Sequence, residues 1–132
     1  MTAASDYFEA KVLDDYFVNG PTFLALFPAD PGETNTTTDQ IGTRKQATFT
    51  RTGNRVTFAA DVLWSSLSAT EDISVGSVAV MDAATGGHTL VHGKLTMPEP
   101  DHPGQTIEAP PKLVPAGDAF LLPAGSVAVL VD

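Results

Sequence analysis

The 132-residue sequence contains no cysteine. This absence excludes disulfide bonds, thiolate nucleophiles and zinc sites built on cysteine, so stability has to come from packing or from assembly. Long apolar runs are missing as well, since none approaches the ~20 residues that a membrane-spanning helix needs. The opening MTAASDYFEAKV carries acidic side chains and lacks the apolar core of a signal peptide. We therefore expect neither export through a signal peptide nor membrane insertion.

Basic residues are scarce, with 7 Lys and Arg against 16 Asp and Glu, and the formal net charge is −9. A chain this acidic should stay soluble and should not bind nucleic acid. Four of the bases nevertheless cluster within a short stretch, at Arg44, Lys45, Arg51 and Arg55. Such a cluster is typical either of a solvated strand face or of a basic surface that contacts an acidic partner.

Turn-forming residues are frequent, with 11 Gly and 10 Pro, and 42% of the residues are hydrophobic. The length is that of one ordinary domain, and no change in composition marks a boundary inside residues 1–132. We predict a mainly β fold, an antiparallel β-sandwich of about 7–8 short strands over residues 22–132. One amphipathic helix at about residues 5–19 precedes it.

The predicted helix rests on apolar residues that recur at three- and four-residue steps. They are Tyr7, Phe8, Val12, Leu13, Tyr16 and Phe17. Ser5 or Asp6 can cap the start, and Asn19-Gly20-Pro21 stops the helix. We expect the aromatic face to pack against the sheet that follows, and docking into a neighbouring subunit is the alternative.

Short strands separated by turns fill the rest of the chain. TFLALF at residues 22–27 is apolar throughout and predicts a buried strand. Residues 43–60 predict a hairpin around Thr52-Gly53-Asn54, with Phe49, Val56 and Phe58 as its core contacts. Trp64 is expected to be a packing anchor. The acidic, threonine-rich residues 28–42 predict a long loop between the buried strand and the hairpin.

The second half of the chain continues the pattern. ISVGSVAVMD at residues 73–82 predicts one strand, DAATGG a turn, and HTLVHGKL the partner strand. TMPEPDHPGQ is predicted to be a loop without strands, because proline interrupts pairing. Two Pro-Ala-Gly turns, at residues 115–117 and 123–125, each introduce a further strand.

The strongest candidate for a chemical site is the pair His88 and His92. On a strand, Cβ atoms four residues apart are about 13 Å from each other. One zinc ion with bonds of ~2.0–2.1 Å could not bind both side chains. No nucleophile elbow, phosphate-binding loop or calcium loop appears either. We expect no cofactor, no metal and no enzyme activity, and we expect the histidines to lie on a surface strand.

A host-surface glycan is a further candidate partner, because such ligands are bound by exposed aromatics beside carboxylates and amides. Trp64, Tyr7 and Tyr16 are the Trp and Tyr residues available. Both tyrosines belong to the apolar stripe of the helix, so the sequence offers little for a glycan site.

Several segments together resemble a known family. They occur in the order DYFEAKVLDDYF, TFLALFPADP, RKQATFT, VTFAADV, VAVMDAATGGHTLVHGKLTMP and VPAGDAFLLPAGSVAVLVD. This order is similar to that of small proteins of tailed bacteriophages known as tail fibre or minor virion proteins. The resemblance runs from about Asp6 to Asp132, and the most specific segment is Asp82-Ala83-Ala84-Thr85-Gly86-Gly87.

The resemblance implies a non-enzymatic virion protein, made in the host cytoplasm and placed on the exterior of the capsid or tail. Its partners would be the major capsid protein or tail proteins, and copies of itself. Because the chain has no repeat or coiled coil from which to build a shaft, we expect a capsid-decoration or minor capsid role, with a tail fibre or minor tail role as the alternative. The interface residues we predict are Arg44, Lys45, Arg51, Arg55, Tyr16, Phe17, Thr36 and Thr37.

Overall fold

A computed structural model describes residues 5–32, 39–98, 101–102, 104, 106–108, 111–124 and 128–130. This part of the chain contains one helical segment followed by thirteen short strands. The strands are β1 Phe23–Phe27, β2 Ile41–Gln46, β3 Phe49–Thr52, β4 Arg55–Phe58, β5 Val62–Trp64, β6 Ile73–Val75, β7 Ser77–Met81, β8 Thr89–Lys94, β9 Thr96–Pro98, β10 Thr106–Glu108, β11 Lys112–Val114, β12 Phe120–Leu122 and β13 Ala128–Leu130.

The predicted N-terminal helix is confirmed, with a change of winding near its end. Helix α1, Asp6–Leu13, begins after Ser5, whose hydroxyl accepts the Phe8 N–H at 3.2 Å. The next residues, Asp14–Val18, form a π-helical turn. At the end of that turn the chain comes so close that a Cβ on Gly20 would lie 2.9 Å from the carbonyl oxygen of Tyr16. A residue without a side chain is therefore needed where the helix stops.

The helix buries one ridge of its surface and exposes another. Leu13 is fully buried and Phe17 is 5% exposed, and both belong to the main core. The rings of Phe17 and Phe49 meet edge to face with centroids 5.5 Å apart. Tyr7, Phe8 and Tyr16 are instead largely exposed. The expected aromatic stripe is thus divided between the core and the surface, and a large share of its aromatic surface is exposed to solvent.

A four-stranded antiparallel sheet in the order β2-β1-β7-β8 forms the centre of the fold. Strand β1 lies inside it, as its apolar sequence predicted, and both of its faces are buried. Leu24 and Leu26 belong to the main core, whereas Ala25 and Phe27 form a second cluster on the opposite face. Alternation of side chains along a strand explains this division.

The main core lies between this sheet and the rest of the β structure. The predicted hairpin is confirmed as β3 and β4, joined at Gly53-Asn54 and extended by β13 into a three-stranded sheet. Phe49, Val56 and Phe58 are buried as predicted. Because both sheets contribute to one apolar cluster, they face each other as the layers of a sandwich do.

Two-stranded ribbons complete the fold, and two of them are closed in the same way. In the β6–β11 ribbon, the carboxylate of Asp72 accepts the Ala116 N–H at 2.9 Å. In the β5–β12 ribbon, Asp61 accepts the Ala124 N–H at 2.8 Å. In both, an aspartate precedes the first strand and a Pro-Ala turn follows the second.

Two predictions about strands need correction. Residues 73–82 form two strands, because Gly76 interrupts the run and donates its N–H to the carbonyl of Phe27 at 3.0 Å. The proline-rich segment was predicted to have no strand, yet β9 pairs with β10. Pro98 is tolerated at the end of β9 because an edge strand has a side that needs no donor.

Candidate functional site

The DAATGG turn between β7 and β8 is built around the side chain of Asp82. Its Oδ1 accepts the backbone N–H of His88 at 2.6 Å, and its Oδ2 lies 3.1 Å from Nδ1 of the same residue. Gly86 and Gly87 have φ values of +62° and +72°, a region that glycine adopts without strain. The N–H of His88, followed by its imidazole, holds the pKa of Asp82 below its usual value.

Arg44 reaches this turn from β2. Its Nη1 donates to the carbonyl oxygens of Ala83 and Gly86 at 2.7 and 2.8 Å, and its Nε donates to Oε1 of Gln40 at 2.9 Å. Only 8% of the residue is exposed. Burial lowers the pKa of Arg44, an effect that the carboxylate of Asp82 opposes. Arg44 therefore holds the turn within the subunit and is withdrawn from the proposed contact surface.

The two histidines do not share one strand, contrary to the prediction that both lie on a surface strand. His88 lies before β8, and an extra residue at Leu90 interrupts the alternation of that strand. His92 pairs across the sheet with Ala79, and its Nδ1 lies 2.6 Å from Oδ1 of Asp30. A carboxylate only accepts hydrogen bonds, so Nδ1 of His92 carries the proton. Each histidine thus has its own aspartate.

The contact between Asp30 and His92 could not be predicted from sequence patterns, because the two residues are far apart along the chain. The backbone N–H of Gly32, followed by His92, holds the pKa of Asp30 below its usual value, while partial burial opposes this shift. A shallow cleft of about 370 Å³ runs along Thr89, Leu90, Val91 and His92. Across the residues that the structure describes, no three His, Cys, Asp or Glu side chains come together to hold a metal ion.

The four clustered bases do not form one basic patch. Arg44 is buried, whereas Arg51 donates from Nε to Oδ1 of Asp14 at 2.7 Å. Lys45 is half-buried, and Arg55 is exposed on β4. Two of the four bases, Arg44 and Arg51, therefore have hydrogen-bond partners within the chain.

The remaining predicted contact residues also include both exposed and buried side chains. Tyr16 is 56% exposed, but Phe17 is buried against Phe49, so it cannot contact a partner without rearrangement. Thr36 and Thr37 lie outside the described residues. Sequence reasoning missed Tyr7 and Phe8 as surface residues, although they are 79% and 59% exposed.

A second cleft opens between the helix and the turn that joins β3 to β4. Its volume is about 520 Å³, and its lining residues are Asp6, Tyr7, Ala10, Arg51, Gly53 and Asn54. We call it the helix–turn cleft. The guanidinium of Arg51 is fixed at its wall, because Nε binds Asp14 and Nη1 donates to the carbonyl of Gly53 at 2.9 Å.

Comparison with known protein families matches residues 3–129 to the family described as Podophage GP4 fiber I protein gp80. The chain belongs to this family, and its membership supports a structural role in a bacteriophage virion. No curated protein matches the chain. In the described part of the chain, no helix has the length and apolar character that crossing a bilayer requires.

Proposed function

We propose that this protein is a subunit of a bacteriophage fibre, on the exterior of the virion, and that it binds neighbouring virion proteins or copies of itself without catalysing a reaction. Membership in a family whose description names a fibre protein supports this assignment. The structural observation that carries it is the exposed aromatic surface of the N-terminal helix.

That surface is a continuous ridge. Phe8, Val12 and Tyr16 are four residues apart, and such residues lie next to one another on a helix. We call them the outer ridge. Phe8 and Tyr16 are more than half exposed, and Val12 is partly buried. Since an aromatic side chain can bury 150–250 Å², the two rings offer roughly 200 Å² of apolar surface to a partner. Exposed apolar patches of this kind mark contact sites.

Charged residues extend the proposed surface. Arg55 is exposed and Lys45 is half-buried, so both can approach an acidic neighbour, including another copy of this chain with its net charge of −9. Arg51 can add only what its ion pair with Asp14 leaves available. Thr36 and Thr37 remain part of the proposal on the basis of the sequence. Complementary charge would favour the correct partner more than it would add affinity.

Capsid decoration is the second candidate. In its favour, the described residues contain short strands and one short helix, with no extended shaft. The family description favours the fibre instead. The two roles differ in where the protein lies on the particle and in how many copies it has.

Both quantities can be measured on purified virions. Antibody-labelled electron microscopy should place the protein on a fibre, and quantitative mass spectrometry should count far fewer copies than of the major capsid protein. Label over the whole shell, with a copy number close to that of the capsid protein, would instead establish decoration.

The outer ridge itself is tested by the double substitution Phe8→Ser and Tyr16→Ser. We expect the isolated variant to fold, because both side chains are exposed, and to be lost from virions. Leu113→Ser is the matched control, since Leu113 is 61% exposed on a different part of the surface. Normal incorporation of the folded double variant would refute the proposed role of the ridge.

A further inference from the structure

The helix–turn cleft combines an exposed aromatic ring with polar side chains that donate hydrogen bonds and others that accept them. Tyr7 is 79% exposed at its edge, in the first turn of a helix whose start is fixed by the Ser5 cap. Asp6 supplies a carboxylate, Arg51 a guanidinium and Asn54 an amide. The volume of about 520 Å³ falls in the range of small-ligand sites.

The charges of the cleft select the class of ligand. Carboxylates of Asp6 and Asp14 lie at or beside it, and the net charge of −9 repels anions. The guanidinium of Arg51, held in place by Asp14, disfavours cations. A neutral ligand with hydroxyl groups matches both sets of groups, because a hydroxyl donates to carboxylates and accepts from guanidinium and amide groups.

We propose that the helix–turn cleft binds a neutral saccharide, with one sugar ring stacked on Tyr7 and its hydroxyls hydrogen-bonded to Asp6, Arg51 and Asn54. A pyranose has an apolar face of C–H groups and a rim of hydroxyls, which fits an aromatic ring bordered by polar side chains. The fixed guanidinium lowers the ordering cost of binding. With one aromatic platform, the dissociation constant should be on the order of 1 mM.

This site is independent of the assembly role proposed above. Ala10, which lines the cleft, follows Phe8 of the outer ridge by two residues, which places it ~200° further around the helix. The cleft and the outer ridge are therefore on opposite flanks. Tyr7 is ~100° from Phe8 around the helix, so a partner docked on Phe8 and Tyr16 need not cover it.

The test is an NMR titration of the isolated, isotope-labelled full chain with maltotriose, cellotriose and chitotriose, each to about 20 mM. We expect at least one sugar to shift the amide signals of residues 6–10 and 51–54. Tyr7→Ala should weaken binding at least about tenfold, and Tyr7→Phe should restore it because the ring is retained. Tyr16→Ala removes a ring that is 56% exposed and lies outside the cleft, and it should leave the titration unchanged.

The saccharide could be part of a surface polysaccharide or a soluble sugar. A pull-down on insoluble cellulose and chitin distinguishes these two sources. Retention that the free trisaccharide reverses identifies a surface polysaccharide, and binding of the trisaccharide without retention identifies a soluble sugar. No shifts with any of the three sugars would overturn the proposal, as would shifts centred elsewhere or equal binding by Tyr7→Ala. Loss of Tyr16→Ala from virions with normal sugar binding would separate the two roles.

Discussion

Nη1 of Arg44 donates a hydrogen bond of 2.8 Å to the carbonyl oxygen of Gly86, joining β2 to the turn that follows β7, across the intervening strand β1. Ala83 accepts from the same nitrogen at 2.7 Å. The turn that is the most specific family segment of the sequence is thus held from outside its own hairpin. Its conformation depends on a residue that the sequence grouped with a basic surface.

Arg44→Ala should lower the free energy of unfolding by about 2–4 kcal/mol, because two carbonyls lose a charged donor in a buried setting. Urea denaturation followed by circular dichroism measures this difference. Arg55→Ala is the control, since that residue is exposed, and its effect should stay within about 0.5 kcal/mol. Equal stability of the two variants would mean that Arg44 does not hold the turn.

Gly87→Ala should destabilise the protein more than Gly86→Ala does. Both residues have positive φ, so alanine carries a backbone cost of about 1–2 kcal/mol at either position. At Gly87 a Cβ would also collide with Oδ1 of Asp82 and with Cβ of Ala83, whereas at Gly86 it meets open space. Crowding should add about 1–3 kcal/mol at Gly87. Thermal unfolding of the pair measures the difference, and equal costs would show that the turn relaxes.

Ser77→Ala should leave stability unchanged or raise it by up to about 1 kcal/mol. The hydroxyl of Ser77 is fully buried and finds no hydrogen-bond partner among the described residues. Removing an unpaired buried polar group eliminates its desolvation cost while nearly conserving volume. A loss of more than about 1 kcal/mol in urea titration, the value of one hydrogen bond, would reveal a partner for this hydroxyl.

Asp30 and Asp82 should make the protein less stable in acid. Folding lowers both pKa values, chiefly through the backbone N–H groups of Gly32 and His88. The stability they contribute is therefore present above the unfolded pKa of about 3.9 and is lost as the pH falls through the lower folded values. Urea midpoints between about pH 6 and pH 3 should fall more steeply for the wild type than for Asp30→Asn plus Asp82→Asn.

The control for this pH series is Asp118→Asn, which replaces an exposed acid in the turn after β11. It should show the wild-type pH profile. A double variant that loses stability in acid as steeply as the wild type would show that these two carboxylates do not cause the acid dependence.

Much of the fold was predictable because local chemistry determined it. Continuous apolar residues predicted that β1 is buried, and Gly53 predicted the hairpin turn between β3 and β4. The buried positions of Phe49, Val56 and Trp64 followed from the same patterns. The division of residues 73–82 did not, because it depends on the carbonyl of Phe27 in a distant strand.

The candidate sites were harder to predict, because helical spacing alone was ambiguous. Leu13 and Phe17 are four residues apart, and so are Val12 and Tyr16. Either ridge could have faced the core, and only the position of β3 beneath Phe17 decided which one did. The outer ridge was left exposed as a result. The packing of Phe17 against Phe49 also brings Tyr7 and Arg51 to the walls of one cleft.

The sequence by itself determined that this is an acidic, cysteine-free, mainly β protein with one N-terminal helix, since composition, period and turn residues act locally. It also carried the DAATGG segment by which the family is recognisable. Only the tertiary structure decided which charges are available to a partner. Arg44 and Arg51 look alike in the sequence, but burial against the turn and pairing with Asp14 give them internal roles that depend on groups 37–42 residues away.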